Sequence, residues 1–298
     1  MSELDRNCIA DLYETLGDGR IRCGVCPRKC VISEGHCGFC GVRENSGGSF
    51  RSLAFGYPVA LQIDPIEKKP LQHYRPGTRT FSVGTFGCNL ACRFCQNDHL
   101  SRAIYHPRLH YRRYEPRELV DLTIRHGCDS ISFTYNEPTV WLEYAMAAAE
   151  EAKRAGLGTV LVSNAFIELK AAEKLYPLME AANIDVKGFS EEFYQSMCKG
   201  SLEPVKRACE FYKKQIGGHL ELTNLVIPGK NSSREMIDSF LDWVEDKLGR
   251  DTPVHFTAYH PAYLYHESPR TPLSMLEDIQ AHAKLERGFP NVYLGNLC

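Results

Sequence analysis

The chain contains no uninterrupted apolar run long enough to span a bilayer, which excludes a membrane-spanning helix. Its opening, MSELDRNCIADLYETL, also lacks the basic stretch followed by an apolar core that marks a secretory signal. Both absences lead to the expectation of a cytoplasmic protein. It has no excess of charge of either sign: 35 Lys and Arg face 37 Asp and Glu, leaving a net charge of −2. Without a global basic field a nucleic acid would have to bind a local patch, and none is expected as a partner. There is no internal repeat and no low-complexity tract.

What the chain does have is cysteine, thirteen in 298 residues. Eight fall into two tight groups: Cys23, Cys26, Cys30, Cys37 and Cys40, then Cys88, Cys92 and Cys95. In a reducing compartment close-spaced cysteines remain thiols available to metal, and an odd total agrees with that. Cys128, Cys198 and Cys209 sit among strand or helix residues and read as packed thiols.

A short helix is expected near Ile9–Leu16, and Ser49–Ile63 alternates apolar and polar residues around Gly56-Tyr57-Pro58 as a hairpin would. Residues 1–63 thus form a small Cys-rich module. Residues 64–79, with three prolines, read as an extended connector, and 80–298 as the larger domain. There, β-like runs recur at Thr80–Thr85, Ser130–Tyr135, Gly158–Ser163, Asn183–Lys187, Leu220–Ile227, Val254–Tyr259 and Val292–Leu294. Helical patterns fill the gaps over 116–127, 140–154, 168–179, 203–215, 233–248 and 272–286. Strand–helix alternation implies an α/β fold with parallel pairing and right-handed crossovers. Six βα units favour a partial (βα)6-type barrel over a closed eight-stranded one.

The loop after the first of these strands is CNLACRFCQN, giving Cys-x3-Cys-x2-Cys at the end where an α/β barrel carries its chemistry. A cubane iron–sulfur cluster ordinarily takes four cysteines, so three leave one iron open to chelate an amine and a carboxylate. A zinc site would need a fourth ligand that this loop lacks.

The loop resembles the signature of the radical S-adenosylmethionine (SAM) superfamily, with Phe94 in the usual aromatic slot before the last cysteine. The resemblance implies a [4Fe–4S] cluster on Cys88, Cys92 and Cys95 that cleaves SAM to a 5′-deoxyadenosyl radical. It continues at later strand ends. Thr134-Tyr135-Asn136-Glu137-Pro138 is similar to the segment that holds the SAM amino group, although its glycines are replaced, so only Glu137-Pro138 carries over directly. Ser163-Asn164, Asp185-Val186-Lys187 and Tyr259-His260 resemble positions of the glycyl-radical-enzyme activase branch. On that likeness Asn136 and Glu137 hold the amino-acid end of SAM, Ser163, Asn164 and Asp185 its ribose side, and Lys187 and His260 its carboxylate or the substrate.

The segments CGVCPRKC, GFCGVR and DPIEKKPL further resemble radical SAM proteins of the AmmeMemoRadiSam system. The activase likeness implies hydrogen abstraction from a protein partner; the AmmeMemoRadiSam likeness implies modification of a partner of that system or of a small molecule. A low-potential reductant such as flavodoxin or ferredoxin is the expected electron donor. Arg102–Arg117, with Arg108, Arg112, Arg113, His106 and His110, is either a solvated loop or a docking surface for such a partner. The rival function is a non-catalytic iron–sulfur or zinc protein, or an electron-transfer protein.

The N-terminal group offers two metal chemistries. Cys23, Cys26, Cys37 and Cys40 form two Cys-x2-Cys arms suited to tetrahedral zinc, with Cys30 as an alternative ligand. A second [4Fe–4S] cluster serving as an electron relay could use the same thiols.

Overall fold

The computed structural model describes residues 9–103 and 112–297. Three short strands, β1 (Tyr13–Thr15), β2 (Ile21–Cys23) and β3 (Val31–Ile32), form an antiparallel sheet. The helix expected at Ile9–Leu16 is therefore absent. Tyr13–Thr15 turns back through Gly19, whose φ is +81°, and pairs with Ile21–Cys23. Long-range pairing wins over a local helical period that two glycines in the next turn could not extend.

β4 (Arg43–Ser46) pairs with β5 (Ser49–Ser52) across Gly47-Gly48, both at positive φ, as a two-residue hairpin requires. The hairpin expected over Ser49–Ile63 does not form. β6 (Ala60–Pro65) instead lies antiparallel to β7 (Arg79–Gly84), at the edge of an eight-stranded sheet.

The rest of that sheet is parallel and in chain order: β7, β8 (Ser130–Phe133), β9 (Gly158–Ser163), β10 (Ala181–Asp185), β11 (His219–Val226), β12 (Val254–Ala258) and β13 (Val292–Gly295). Although these strands are buried on both faces, most alternate apolar with polar residues, and that period of two made them legible. The expected helices are present, centred on α-helical segments Pro116–Arg125, Leu142–Arg154, Leu169–Leu175, Leu202–Phe211, Arg234–Trp243 and Leu273–Ala281. The first starts with Pro116 behind a capping box made by Glu115 and Glu118.

Sequential strand order with right-handed crossovers keeps the helices on one face, so the sheet curls and its other face becomes concave. The result is a partial barrel, and among the described residues β13 and β6 share no ladder. One apolar core runs from Ile21, Val42 and Phe50 of the Cys-rich segment into Phe133, Trp141 and Tyr144 of the barrel. No helix among the described residues is long and apolar enough to cross a membrane.

The stretch read as a connector begins inside β6 and then runs as a strap across the N-terminal ends of the strands. Pro70 O accepts from Asn183 Nδ2 at 2.8 Å, His73 Nε2 and Tyr293 Oη lie 2.6 Å apart, and Tyr74 Oη donates to Glu180 at 2.7 Å. The strap thus closes the bottom of the barrel beneath a cavity that opens towards the cysteine loop.

Candidate functional site

β7 delivers the chain to Gly87, where φ is +86° and a Cβ would stand 2.5 Å from the carbonyl oxygen of Cys40. Only glycine tolerates both the left-handed backbone and that close approach. Asn136, at the end of β8, clamps the loop beyond. Its Oδ1 accepts from Thr85 N at 3.0 Å, and its Nδ2 donates to Thr85 Oγ1 and Gly87 O, each at 3.0 Å. Further along, Ala91 N and Arg93 N donate to the carbonyls of Cys198 and Met197, each at 2.9 Å.

This scaffold turns Cys88, Cys92 and Cys95 into one cavity of about 550 Å³, which Asn136, Glu137, Ser163, Asn164, Asp185 and Lys187 also line. Ends of β7, β8, β9 and β10 therefore converge as expected. His260 is not among the lining residues. It is half-buried outside, with Nε2 2.9 Å from Asn296 O.

The environment of the three thiols suits a thiolate-held cluster. Cys88 Sγ accepts from Leu90 N at 3.4 Å and lies 3.6 Å from Asn164 Nδ2, while Cys95 Sγ lies 3.2 Å from Ser101 Oγ. Such donors stabilise sulfur-bound negative charge. Burial pushes the free thiols of Cys88 and Cys95 up, and Cys92 rises through its hydrogen bond with Cys198 and its burial. Metal must therefore displace protons as it binds.

Glu137 is buried and anchors β9. Its Oε1 accepts from Thr139 N (2.9 Å), Thr139 Oγ1 (2.6 Å) and Ser163 Oγ (2.7 Å), and its Oε2 accepts from Asn164 N (2.8 Å). Burial raises its pKa against the pull of these bonds. Lys187 Nζ pairs with Asp185 at 2.8 Å. Burial alone would pull Lys187 down, but Asp185 and the neighbouring thiols outweigh it and raise its pKa.

The lower cavity wall is built partly from the DPIEKKPL and Thr134–Pro138 segments. Lys69, buried, reaches Asp64 at 2.7 Å and lies 4.6 Å from the Tyr135 ring, whose hydroxyl also donates to Asp64 at 2.7 Å. His255, unassigned from sequence, lines the cavity with Nε2 2.7 Å from the buried carboxylate of Glu221. The Tyr135–Asp64 and His255–Glu221 contacts join segments far apart in sequence, which no local spacing reveals.

In the basic segment, Arg102 donates to Leu90 O, Arg113 pairs with Glu115 and Arg117 with Asp121. His106, Arg108 and His110 lie outside the described residues.

In the N-terminal group Cys23, Cys26, Cys30 and Cys40 face one small enclosed cavity, whereas Cys37 is exposed and does not line it. Among the described residues no three His, Cys, Asp or Glu side chains converge closely enough to hold a single metal ion.

The pattern of the Radical SAM superfamily matches residues 82–244, the span from the first parallel strand through the helix before β12. The chain belongs to the radical SAM superfamily. Members of this family bind a [4Fe–4S] cluster and SAM. The uncharacterized protein MJ0808 of Methanocaldococcus jannaschii is 41% identical over 289 residues, covering 97% of this chain and 85% of that protein. In fold, the chain is similar to a radical SAM methyltransferase from Sphaerobacter thermophilus, with a TM-score of 0.58 at 15% identity, over 75% of this chain and 68% of the other. It is also similar to Streptococcus suis SuiB bound to SAM, with a TM-score of 0.56 at 13% identity, over 71% and 49% of the two chains.

Proposed function

We propose that this protein is a radical SAM enzyme that reductively cleaves SAM at a [4Fe–4S] cluster held by Cys88, Cys92 and Cys95, and abstracts hydrogen from a protein or small-molecule substrate. One observation carries the reading: among the described residues three cysteines, and no fourth, line the same cavity as polar groups from three further strand ends. When bound, the cluster supplies the electron that breaks a C–S bond of SAM and frees the 5′-deoxyadenosyl radical.

The chain's own residues bind, orient and exclude water. Asn164 and the Leu90 amide donate toward Cys88 Sγ and so tune the sulfur that reaches the cluster. Glu137 fixes Ser163 and Asn164, so it acts on SAM through them rather than by direct contact. Lys187, charged beside Asp185, offers its ammonium to a carboxylate in the cavity, and Asp185 offers a carboxylate to ribose hydroxyls. His260 stands off the cavity, which leaves the carboxylate to Lys187. The electron comes from a low-potential flavodoxin or ferredoxin.

The test is anaerobic reconstitution with iron and sulfide, then dithionite and SAM, with low-temperature EPR and chromatography for 5′-deoxyadenosine. A reduced-cluster signal that changes with SAM, together with 5′-deoxyadenosine, supports the assignment. Retained SAM cleavage in Cys92→Ala refutes it.

A further inference from the structure

We propose that the floor of the cavity is the substrate subsite, that it takes a small neutral polyol, and that His255 is the base that accepts a proton from one of its hydroxyls. The part His255 plays in the reaction rests on the radical chemistry proposed above; binding at the subsite does not.

His255 stands one residue in from the N-terminal end of β12, paired with Thr223 of β11 on one side and Tyr293 of β13 on the other. That places it low in the barrel, just above the strap, whereas the cysteine loop leaves the opposite end of β7. The residue is 3% exposed, with its ring centred 5.3 Å from that of Tyr293. Nε2 is taken by Glu221 at 2.7 Å. No described residue engages the other ring nitrogen, Nδ1. Nor is Nδ1 one of the polar atoms sealed in the interior without a partner, so it opens onto the cavity that His255 lines. Bonding Glu221 alone needs no such opening.

The tautomer follows from charge. Burial pushes the Glu221 carboxyl up, but hydrogen bonds from His219, His255 and the amides of Gln72 and His73 prevail and keep it ionised at neutral pH. A carboxylate only accepts, so His255 donates from Nε2 and keeps a free lone pair on Nδ1. The same carboxylate stabilises the imidazolium that forms when Nδ1 takes a proton. Glu221, acting through His255, is thus a positioning residue.

The rest of the floor selects the ligand. Thr257, on the same face of β12 as His255, lines the cavity with a hydroxyl that no described residue engages, and Gln72 adds a side-chain amide from the strap. The charged groups nearby are already paired: Lys68 and Lys69 with Asp64, and Lys187 with Asp185. Glu67 accepts from Gly77 N. A phosphate or carboxylate on the floor would lose its hydration without gaining an unpaired counter-charge, whereas hydroxyls match the imidazole, hydroxyl and amide that remain. The strap closes the barrel from below, so the ligand must be short enough to lie between it and SAM.

Hydrogen abstraction at a carbinol carbon makes the attached hydroxyl a stronger acid, because the resulting anion is delocalised with the unpaired electron. The O–H bond then breaks heterolytically and its proton forms an N–H bond at Nδ1. The unpaired electron stays on the substrate, and no oxidant or reductant is consumed.

The subsite is tested in the cluster-loaded chain with SAM. With 15N-labelled histidine and the cluster oxidised, the His255 resonances are identified by their loss in His255→Gln. At about pH 8 they should show an unprotonated Nδ1 and shift saturably on adding glycerol, erythritol or ribitol. In Glu221→Gln the two ring nitrogens should move toward one averaged shift. After reduction by dithionite, the same polyols carrying deuterium on carbon should pass it to 5′-deoxyadenosine, and the deuterated fraction should fall about tenfold or more in His255→Gln. Should that variant misfold, Thr257→Val, which leaves the Glu221 network untouched, should weaken polyol binding about fivefold. A protonated Nδ1, no saturable shift with any of the three polyols, no deuterium in the 5′-deoxyadenosine formed, or an equal deuterated fraction in His255→Gln overturns the proposal. Absence of 5′-deoxyadenosine altogether overturns SAM cleavage instead and with it the role of His255 as a base, while the NMR titration still decides the subsite.

Discussion

Glu221→Gln tests whether the strap is tied to the barrel by one buried charge. The carboxylate is fully buried and accepts from Gln72 N at 3.0 Å, His73 N at 2.8 Å, His219 Nε2 at 2.8 Å and His255 Nε2 at 2.7 Å. Burial pushes its pKa up, but these donors prevail and bring it from 4.5 down to about 2. At about 1.4 kcal/mol per pH unit, that difference is worth about 3 kcal/mol of folding stability. The folded state holds the proton less tightly than the unfolded chain, so the contribution is complete above pH 4.5 and is lost as pH falls toward 2. Glutamine keeps the shape but loses the charge and turns an NH2 toward a donor. Urea unfolding followed by circular dichroism, with wild type and variant at equal cluster loading, should show a gap of about 3 kcal/mol at pH 7 that narrows below pH 4.5. A gap below about 1 kcal/mol at pH 7, or one unchanged from about pH 5 to 3, would refute the reasoning.

Two other substitutions probe the cluster loop. Glu137→Gln should cost about 2 kcal/mol in urea unfolding, because an amide cannot accept from all four of its present donors. By loosening Asn164 it should also lower the reduction potential of the Cys88 cluster, read by EPR redox titration. Gly87→Ala forces a side chain onto the Cys40 carbonyl at a left-handed φ; a loss of about 2–4 kcal/mol and reduced iron content are expected, checked by thermal unfolding and iron assay.

The parallel strands were legible because short stretches of alternating apolar and polar residues end at a polar pair. Cys88, Cys92 and Cys95 were legible because a single loop holds them all. β6 was not, since Ala60–Pro65 alternates like any half-exposed strand and its partner is chosen by how the strap folds back. Ile9–Leu16 carried a helical period that pairing with Ile21–Cys23 overrode. Glu221 and His255 are two of several polar residues in their strands, and only the pairing of β11 with β12 and the path of the strap show that they meet. Which four of five N-terminal thiols share a cavity likewise depends on the turn through Gly38 and Gly41, a matter of backbone path rather than spacing.

The gap between β6 and β13 gives the barrel an unequal stiffness. Around the rest of its circumference, prising neighbouring strands apart would break backbone ladders; across this seam none is broken. At the lower rim, however, Pro70, His73 and Tyr74 bind the strap to β10, β13 and the approach to β10, tying both sides together. The molecule is thus hinged at its base and unlaced above, and the mouth beside the cysteine loop can widen for a bulky reactant without giving up a single strand-to-strand hydrogen bond.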